Sequence, residues 1–525
     1  MEDVFIATRG TKKHKTKFNN ITKALKNEGF YFLLIKTSLF CQDFKEKRGG
    51  SLMEKLVKSY DINTKVLRER LRVKENFDVI ERHLSVGGTD VCFFYIDGFV
   101  KDGEMLRIMQ FLLSEKRLGG AEELEKKIPY VEVELCDRTE KIIRAVLSGQ
   151  SAILAETFSA EAILLDLRTY PARDTAEPEG DRVMQGARDG FVETLVMNTA
   201  LIRRRIRDPR LTMEHFSMGG ASDTDVVMCF VEGVAKAEDV DSIRQRLCSV
   251  KPKSLTLGFQ SLAELLIGKG WFNPFPKIRT TERPDTASAQ LLEGSVIILC
   301  DTSPLAMILP TSIFDYLEES SDYYFPPLTG TYLRLVRTAI LLLSVVITPL
   351  WYLVLEYESI LPEGLKFLIP ESPGALPIIL QLFLAEIAID GLKIASMNTP
   401  DILSNSLSVV GALILGDFAV SVGWLCEDVI LYMAFVAIAN FAQQNYELGY
   451  AFKFVRMLSL ALVWILGIWG FVAGMLIFVF LVVTNSTVPT SRGYLYPLVP
   501  FSLKGILHYL YRHPKKNDQN TNIKK

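Results

Sequence analysis

The chain has 525 residues, enough for two or more domains, and its 59 Lys and Arg against 61 Asp and Glu leave a net charge of -2. That balance, with no basic stripe, excludes a nucleic-acid-binding protein. The average hides an asymmetry: residues 1–330 are charged like an ordinary soluble protein, whereas Arg334 to Arg492 is poor in charge and holds long uncharged runs.

Residues 1–52 form a basic arm, with eleven Lys and Arg against five Asp and Glu in the first fifty. Its one apolar patch, Phe30–Ile35, is too short to span a bilayer; a disordered arm is the plain reading by composition and attraction to a membrane surface the livelier alternative. Coherent patterning begins at Met53, which makes a start-site extension the other reading of the arm.

Residues 53–165 alternate strand and helix patterns and read as a first α/β subdomain. Asp90–Phe99 is a buried-strand run closed by Gly98, Glu104–Ser114 has helical spacing, Val131–Leu135 is a second strand and Glu140–Leu147 a second helix. The unit then recurs. Thr89-Asp90-Val91, Tyr95-Ile96-Asp97-Gly98 and Lys101 line up with Thr224-Asp225-Val226, Phe230-Val231-Glu232-Gly233 and Lys236 at a constant offset of 135. Gly149–Leu154 is echoed by Gly294–Leu299. An internal duplication follows, with the second α/β subdomain at 190–330 and a linker at 166–189.

From about Asp189 to Ile206 the pattern becomes an amphipathic helix. Arg203, Arg204 and Arg205 on it are candidates for an anion, a lipid head group or an inter-subunit strip, against the plainer reading of a solvated face. Phe272–Asp285 is a Pro-rich connector. Phe314–Tyr324, acidic and aromatic, reads as an interfacial collar or a surface helix.

Residues 331–491 read as an α-helical transmembrane domain of five to six segments. Thr338–Leu355 and Val429–Tyr446 each run eighteen residues without a charge and Met457–Ser491 runs thirty-five, against the roughly 20 apolar residues that carry a helix across a bilayer. Ser372–Ala385 is interrupted by Glu386 and Asp390, and Ile402–Gly416 by Asp417. Arg334 and Arg337 place the N-terminal part in the cytoplasm, and Lys453 and Arg456 mark a return to that side. Met457–Thr484 reaches roughly 42 Å as a helix, which suits a tilted crossing or a hairpin broken at Gly467–Gly474. The tail at 492–525 is basic and expected inside.

Enzyme signatures are missing. There is no P-loop, GxSxG, HExxH or CxxC pair, Gly87-Gly88 and Gly219-Gly220 read as turns, and His14, His83, His215, His508 and His513 have no ligand spacing. Neither catalysis nor a metal or other cofactor is expected. Seven scattered cysteines suit a reducing compartment.

Glu177–Ile206, Phe275–Asp285, Leu291–Pro310 and Asp322–Tyr324 together resemble the GerA family of spore germination proteins, A-subunit type. In the membrane half Val410–Val420, Leu431–Phe441 and Asn445–Arg456 resemble its stage V sporulation protein AF branch more than its nutrient-sensing receptors. The first fifty residues depart from the family pattern. The resemblance implies a multi-pass protein of the spore inner membrane with a cytoplasmic N-terminal domain of two subdomains. It implies a ring-shaped homo-oligomer, a pentamer, that conducts monovalent cations early in germination. The implied partners are the bilayer and either another small spore membrane protein or germinant-receptor subunits.

Carboxylates in lipid normally face a bundle interior or an aqueous path. Glu386, Asp390, Asn405, Asp417 and Asn440 are therefore expected to line a pore in a gated cation channel, with Val409, Val410 and Leu413 as an apolar gate. Pairing within one subunit, such as Asp390 with Lys393, is the plainer reading. A secondary transporter and a non-conducting scaffold for germinant receptors are the alternatives.

Overall fold

The computed structural model describes residues 55–170, 186–267, 272–397, 418–443 and 445–511. The basic arm, most of the linker, the end of the tail and the stretch holding Asn405, Val409, Val410, Leu413 and Asp417 lie outside the described residues. The chain divides into two compact units: one holds the chain up to Leu71, Glu81–Tyr95 and Lys101–Leu167, and the other holds Arg72–Ile80, Ile96–Val100 and everything from Arg168.

The first half of the chain runs α1 (Tyr60–Leu71), β1 (Val79–Val86), β2 (Thr89–Ile96), α2 (Asp102–Ser114), α3 (Ala121–Lys127), β3 (Val133–Cys136), α4 (Thr139–Leu147), β4 (Ser151–Ala155) and β5 (Ala162–Leu165). The strands form one antiparallel sheet in the order β1-β2-β4-β5-β3. Every residue of β4 and β5 is buried, so these strands read as continuous apolar runs instead of alternating.

The second α/β part has the same plan. It runs α5 (Leu195–Arg205), β6 (Leu211–Met218), β7 (Thr224–Val231), α6 (Ala237–Ser249), α7 (Phe259–Ile267), β8 (Arg279–Thr281), α8 (Pro284–Leu292), β9 (Val296–Cys300) and β10 (Ala306–Leu309), with sheet order β6-β7-β9-β10-β8, again antiparallel. Because side chains alternate along a strand, each strand feeds two cores. Val226, Met228 and Ile298 pack with Ile243, Leu262 and Leu266, while Val227, Cys229 and Ile297 pack with Leu201, Ile202 and Leu291.

The likeness of the two parts reaches individual hydrogen bonds. Asn63 accepts from Val57 N and donates to Val57 O, and Asn198, 135 residues later, does the same with Val192. Gly149 and Gly294 end α4 and α8 at φ 97° and 98°, a left-handed conformation that costs glycine nothing. At Gly294 a side chain would also meet the Val234 carbonyl oxygen at 2.9 Å.

The helix expected over Asp189–Ile206 is shorter. It starts at Leu195, whose N–H is accepted by the Asp301 carboxylate, and the residues before it are held extended by Asn198. The acidic segment is also not what its composition suggested. It forms a 3-10 turn at Ile313–Leu317 and α9 (Ser320–Tyr324), and its acids bind the next helix. Glu318 meets Arg334 at 2.8 Å, and Asp322 meets both Arg334 and Arg337. The acids of the segment form an ion-pair clamp, because two arginines in the first turns of the following apolar helix need counter-charges, while Tyr323 and Tyr324 stay exposed.

That helix is α10 (Pro327–Glu356), followed by α11 (Ile378–Met397), α12 (Glu427–Phe441), α13 (Tyr446–Leu466), α14 (Ile468–Thr484) and α15 (Leu503–Leu510). Two of them, α10 and α13, are long and apolar enough to cross a membrane; α14 is apolar but has 17 residues. The long apolar run after Arg456 resolves into a hairpin. Gly467, at φ 57°, separates α13 from α14, and a Cβ at Gly470 would lie 1.9 Å from the Leu462 carbonyl oxygen. Trp469, Leu476, Val479, Phe480 and Val483 leave α14 with an exposed apolar face.

Candidate functional site

Glu386 and Asp390 lie four residues apart on α11, hence on one helix face. That face meets Lys453 and Arg456, three apart on α13. Arg456 Nε donates to Glu386 Oε1 at 2.6 Å, and Arg456 Nη1 donates to the Ser344 carbonyl of α10 at 3.2 Å. Lys453 Nζ donates to the Glu386 carbonyl oxygen at 3.0 Å, lies 3.4 Å from Glu386 Oε2, and pairs with Asp390. Two acids of α11 and two bases of α13 thus cancel, with α10 adding a backbone carbonyl.

Sequence reasoning missed the two cations. It took Lys453 and Arg456 for loop markers at a membrane surface, whereas both lie inside α13 and are buried. The available signal was spacing: two acids at i,i+4 on one apolar helix call for two bases at similar spacing on another. The expectation that Glu386 faces a shared aqueous path is corrected accordingly. Its carboxylate is 1% exposed and held by Arg456, because an unpaired ion there would be costly. The plainer reading is corrected in its partner: Asp390 pairs with Lys453, and Lys393 instead sits 4.4 Å and 4.8 Å from the Tyr446 and Tyr450 ring centroids.

Asp390 remains open, with its side chain 32% exposed. It borders a cavity of about 20 Å³ together with Lys393, Asn440, Tyr450 and Lys453, room for a single water. Among the described residues Asn440 Oδ1 is buried without a hydrogen-bond partner, as are Thr348 Oγ1, Ser459 Oγ and Arg456 Nη2. Such groups are rare and costly in a finished core. Of the five proposed polar pore residues, Asp390 and Asn440 therefore share one small cavity, Glu386 is buried against Arg456 and Lys453, and Asn405 and Asp417 are outside the described residues.

A larger cavity, about 260 Å³, lies where β8 and the acidic segment approach the start of α13, lined by Arg279, Thr281, Asp315, Glu318, Asn445 and Glu447 among others. Burial pushes the Glu318 carboxyl up to about 7, and Arg334 pulls it back only in part. The same unit is tied again at the far end of α14, where Lys277 Nζ donates to Asn485 Oδ1 at 2.7 Å and Ser491 donates its hydroxyl to Asp239 at 2.9 Å.

The arginine strip is also accounted for inside the chain. Arg203 is fully buried and donates from Nε to Asp78 Oδ2 at 2.7 Å and from Nη2 to Oδ1 at 2.9 Å. Arg204 stacks 4.7 Å over Tyr170, and Arg205 binds Asp189 at 2.6 Å. The expectation of an anion, lipid or inter-subunit site on Arg203 is corrected: Arg203 serves the core while Arg204 and Arg205 make local contacts, since Asp78 supplies the missing charge from a distant loop.

The chain is similar in sequence to known proteins. The profile described as "Bacillus/Clostridium GerA spore germination protein" matches residues 65–522. The chain is similar to stage V sporulation protein AF of Bacillus subtilis (strain 168), 34% identical over 86% of this chain and 92% of that one. Spore germination protein A1 of the same organism is 26% identical over 85% of this chain and 92% of its own length. A crystal structure of the N-terminal domain of the A subunit of the Bacillus megaterium spore germinant receptor GerK3 aligns at 24% identity and a TM-score of 0.37, covering 49% of this chain and 96% of that one. The chain belongs to the GerA family of spore germination proteins.

Proposed function

We propose that the protein is a subunit of an oligomeric, gated cation channel that promotes ion release from the spore during germination. It would sit in the spore inner membrane as a multi-pass protein with its α/β domain in the cytoplasm. The observation that carries this reading is the cavity shared by Asp390, Lys453 and Asn440: an acid paired with a lysine, beside a buried amide oxygen that has no partner among the described residues. In lipid such groups are expensive unless they meet water or an ion during function.

Lys453 acts as the internal counter-ion of the closed state. When it swings from Asp390 toward the Glu386 carboxylate, which it already approaches at 3.4 Å, Asp390 and Asn440 offer oxygen ligands to a monovalent cation. Repeated around a ring of identical subunits, a pentamer in this reading, those oxygens would form the path. Asn405 and Asp417 would extend it and Val409, Val410 and Leu413 would close it. Movement of the α/β domain reaches α13 through the Glu318 cavity and α14 through Lys277 and Asn485. As membership of the GerA family implies, the partners would be germinant-receptor subunits or another small spore membrane protein.

The test is potassium release from spores carrying Asp390→Asn or Asn440→Leu, with currents from the purified protein in planar bilayers. Altered release rate and selectivity are expected; unchanged values would remove both residues from the path. The neutral Glu386–Arg456 pair favours a second reading, a non-conducting scaffold for germinant receptors, in which rings form but pass no current. Saturable, counter-ion-coupled flux would instead indicate a secondary transporter.

A further inference from the structure

The first sheet brings together three side chains that no sequence spacing joins. Glu81 and His83 lie two apart on β1 and so share a face, and Cys92 reaches the same place from β2. His83 Nε2 is 2.9 Å from Glu81 Oε1, Cys92 Sγ is 3.8 Å from that oxygen, and Sγ and Nε2 are 3.9 Å apart. Among the described residues this is the one group of three such donors whose ligating atoms converge.

From this convergence we infer that Glu81, His83 and Cys92 form a binding site for a borderline divalent transition metal of the zinc class. Bond lengths of about 2.0–2.3 Å to O, N and S in a tetrahedron put the donor atoms about 3.3–3.6 Å apart, so each observed separation is within about half an ångström of the requirement. One thiolate and one imidazole select zinc or cobalt over magnesium or calcium, which demand oxygen ligands. His83, 51% exposed, leaves the outer side of the site to solvent, where water supplies the fourth ligand.

The surroundings suit that role. Arg68 of α1 donates from Nε to Glu81 Oε2 at 2.7 Å and from Nη2 to Oε1 at 2.6 Å. On binding, Oε1 turns to the metal while Oε2 keeps Arg68, the outer contact that orients a ligating carboxylate. Burial and the charge on Glu81 raise the Cys92 thiol far above its ordinary range, so the metal must displace its proton: the S–H bond breaks, the S–metal bond forms, and the proton leaves to solvent. The duplication supplies a control within the molecule. At the corresponding places of the second sheet stand Met213, His215 and Val227, and His215 is engaged with Asp225 and stacked on Phe77. The donor set exists in one copy only, so the inherited fold does not explain it.

The full chain, purified in detergent and stripped with chelator, is titrated with Co²⁺ and then Zn²⁺. One equivalent per chain is expected, with a thiolate-to-cobalt charge-transfer band that Zn²⁺ abolishes. Cys92→Ala removes the band, His83→Gln weakens affinity by at least about tenfold, and Cys248→Ser, which deletes an exposed thiol elsewhere, changes neither. Wild-type protein without saturable binding, or a band that survives Cys92→Ala, overturns the site. Should Cys92→Ala fail to fold, the exposed His83→Gln decides alone: wild-type affinity in it refutes the assignment.

Discussion

At the residue scale the charges inside the helices matter most. Glu386 and Arg456 are both buried, and breaking such a pair by removing one partner typically costs about 3–5 kcal/mol, whereas replacing both with apolar groups can be neutral. Arg456→Ala is therefore expected to lower the unfolding temperature of the purified protein sharply, and Glu386→Leu with Arg456→Met to recover most of the loss. Equal stability of Arg456→Ala and wild type would mean that the pair holds nothing. Glu318 carries a pH dependence of definite sign. Its folded carboxyl sits near 7, above the ordinary value, so the folded state binds the proton more tightly. Its contribution is full below about pH 4.5 and is lost as pH rises through about 7. Stability measured across that window should fall, and Glu318→Gln should flatten the slope.

At the element scale the α13–α14 hairpin rests on glycine. Gly470 faces the Leu462 backbone and Gly474 faces Ser459, so the two helices approach more closely than any side chain permits. Gly470→Ala cannot be absorbed by a rotamer change because the obstacle is a carbonyl oxygen, and more than the roughly 1–3 kcal/mol of ordinary overpacking is expected. Limited proteolysis should show the hairpin opened in Gly470→Ala and intact in Gly364→Ala, where nothing lies within 4 Å of the added methyl. Equal protection of the two variants would argue against the hairpin.

For the whole molecule, the second α/β part and the helices form one unit, joined at Glu318–Arg334, at Lys277–Asn485 and at Asp239–Ser491. Three ties spaced along the chain transmit displacement better than one flexible linker would. The proposed channel needs more than a single chain, because the charges within one chain already cancel. Particle images of the detergent-solubilised protein should count several subunits around an axis with an opening on it; a lone protomer would leave conduction without a path.

Periodicity and repetition made much of the fold legible. Thr89-Asp90-Val91 and Thr224-Asp225-Val226 fall at the starts of equivalent strands, and the helices at Glu104–Ser114 and Glu140–Leu147 were readable within a few residues, because local hydrophobic patterning decides them. The sequence by itself also determined the family, through ordered motifs matched along residues 65–522, and the apolar runs at Thr338–Leu355, Val429–Tyr446 and Met457–Ser491, which hydropathy alone carries. Only tertiary structure decided where the charges go. Arg203 lies 125 residues from Asp78, and Arg456 lies 70 from Glu386. Which cation answers which acid depends on helices and loops that meet only after folding, and desolvation makes that choice strict. For the same reason the donors Glu81, His83 and Cys92 formed no motif along the chain: the pairing of two strands, not their spacing in sequence, sets them side by side.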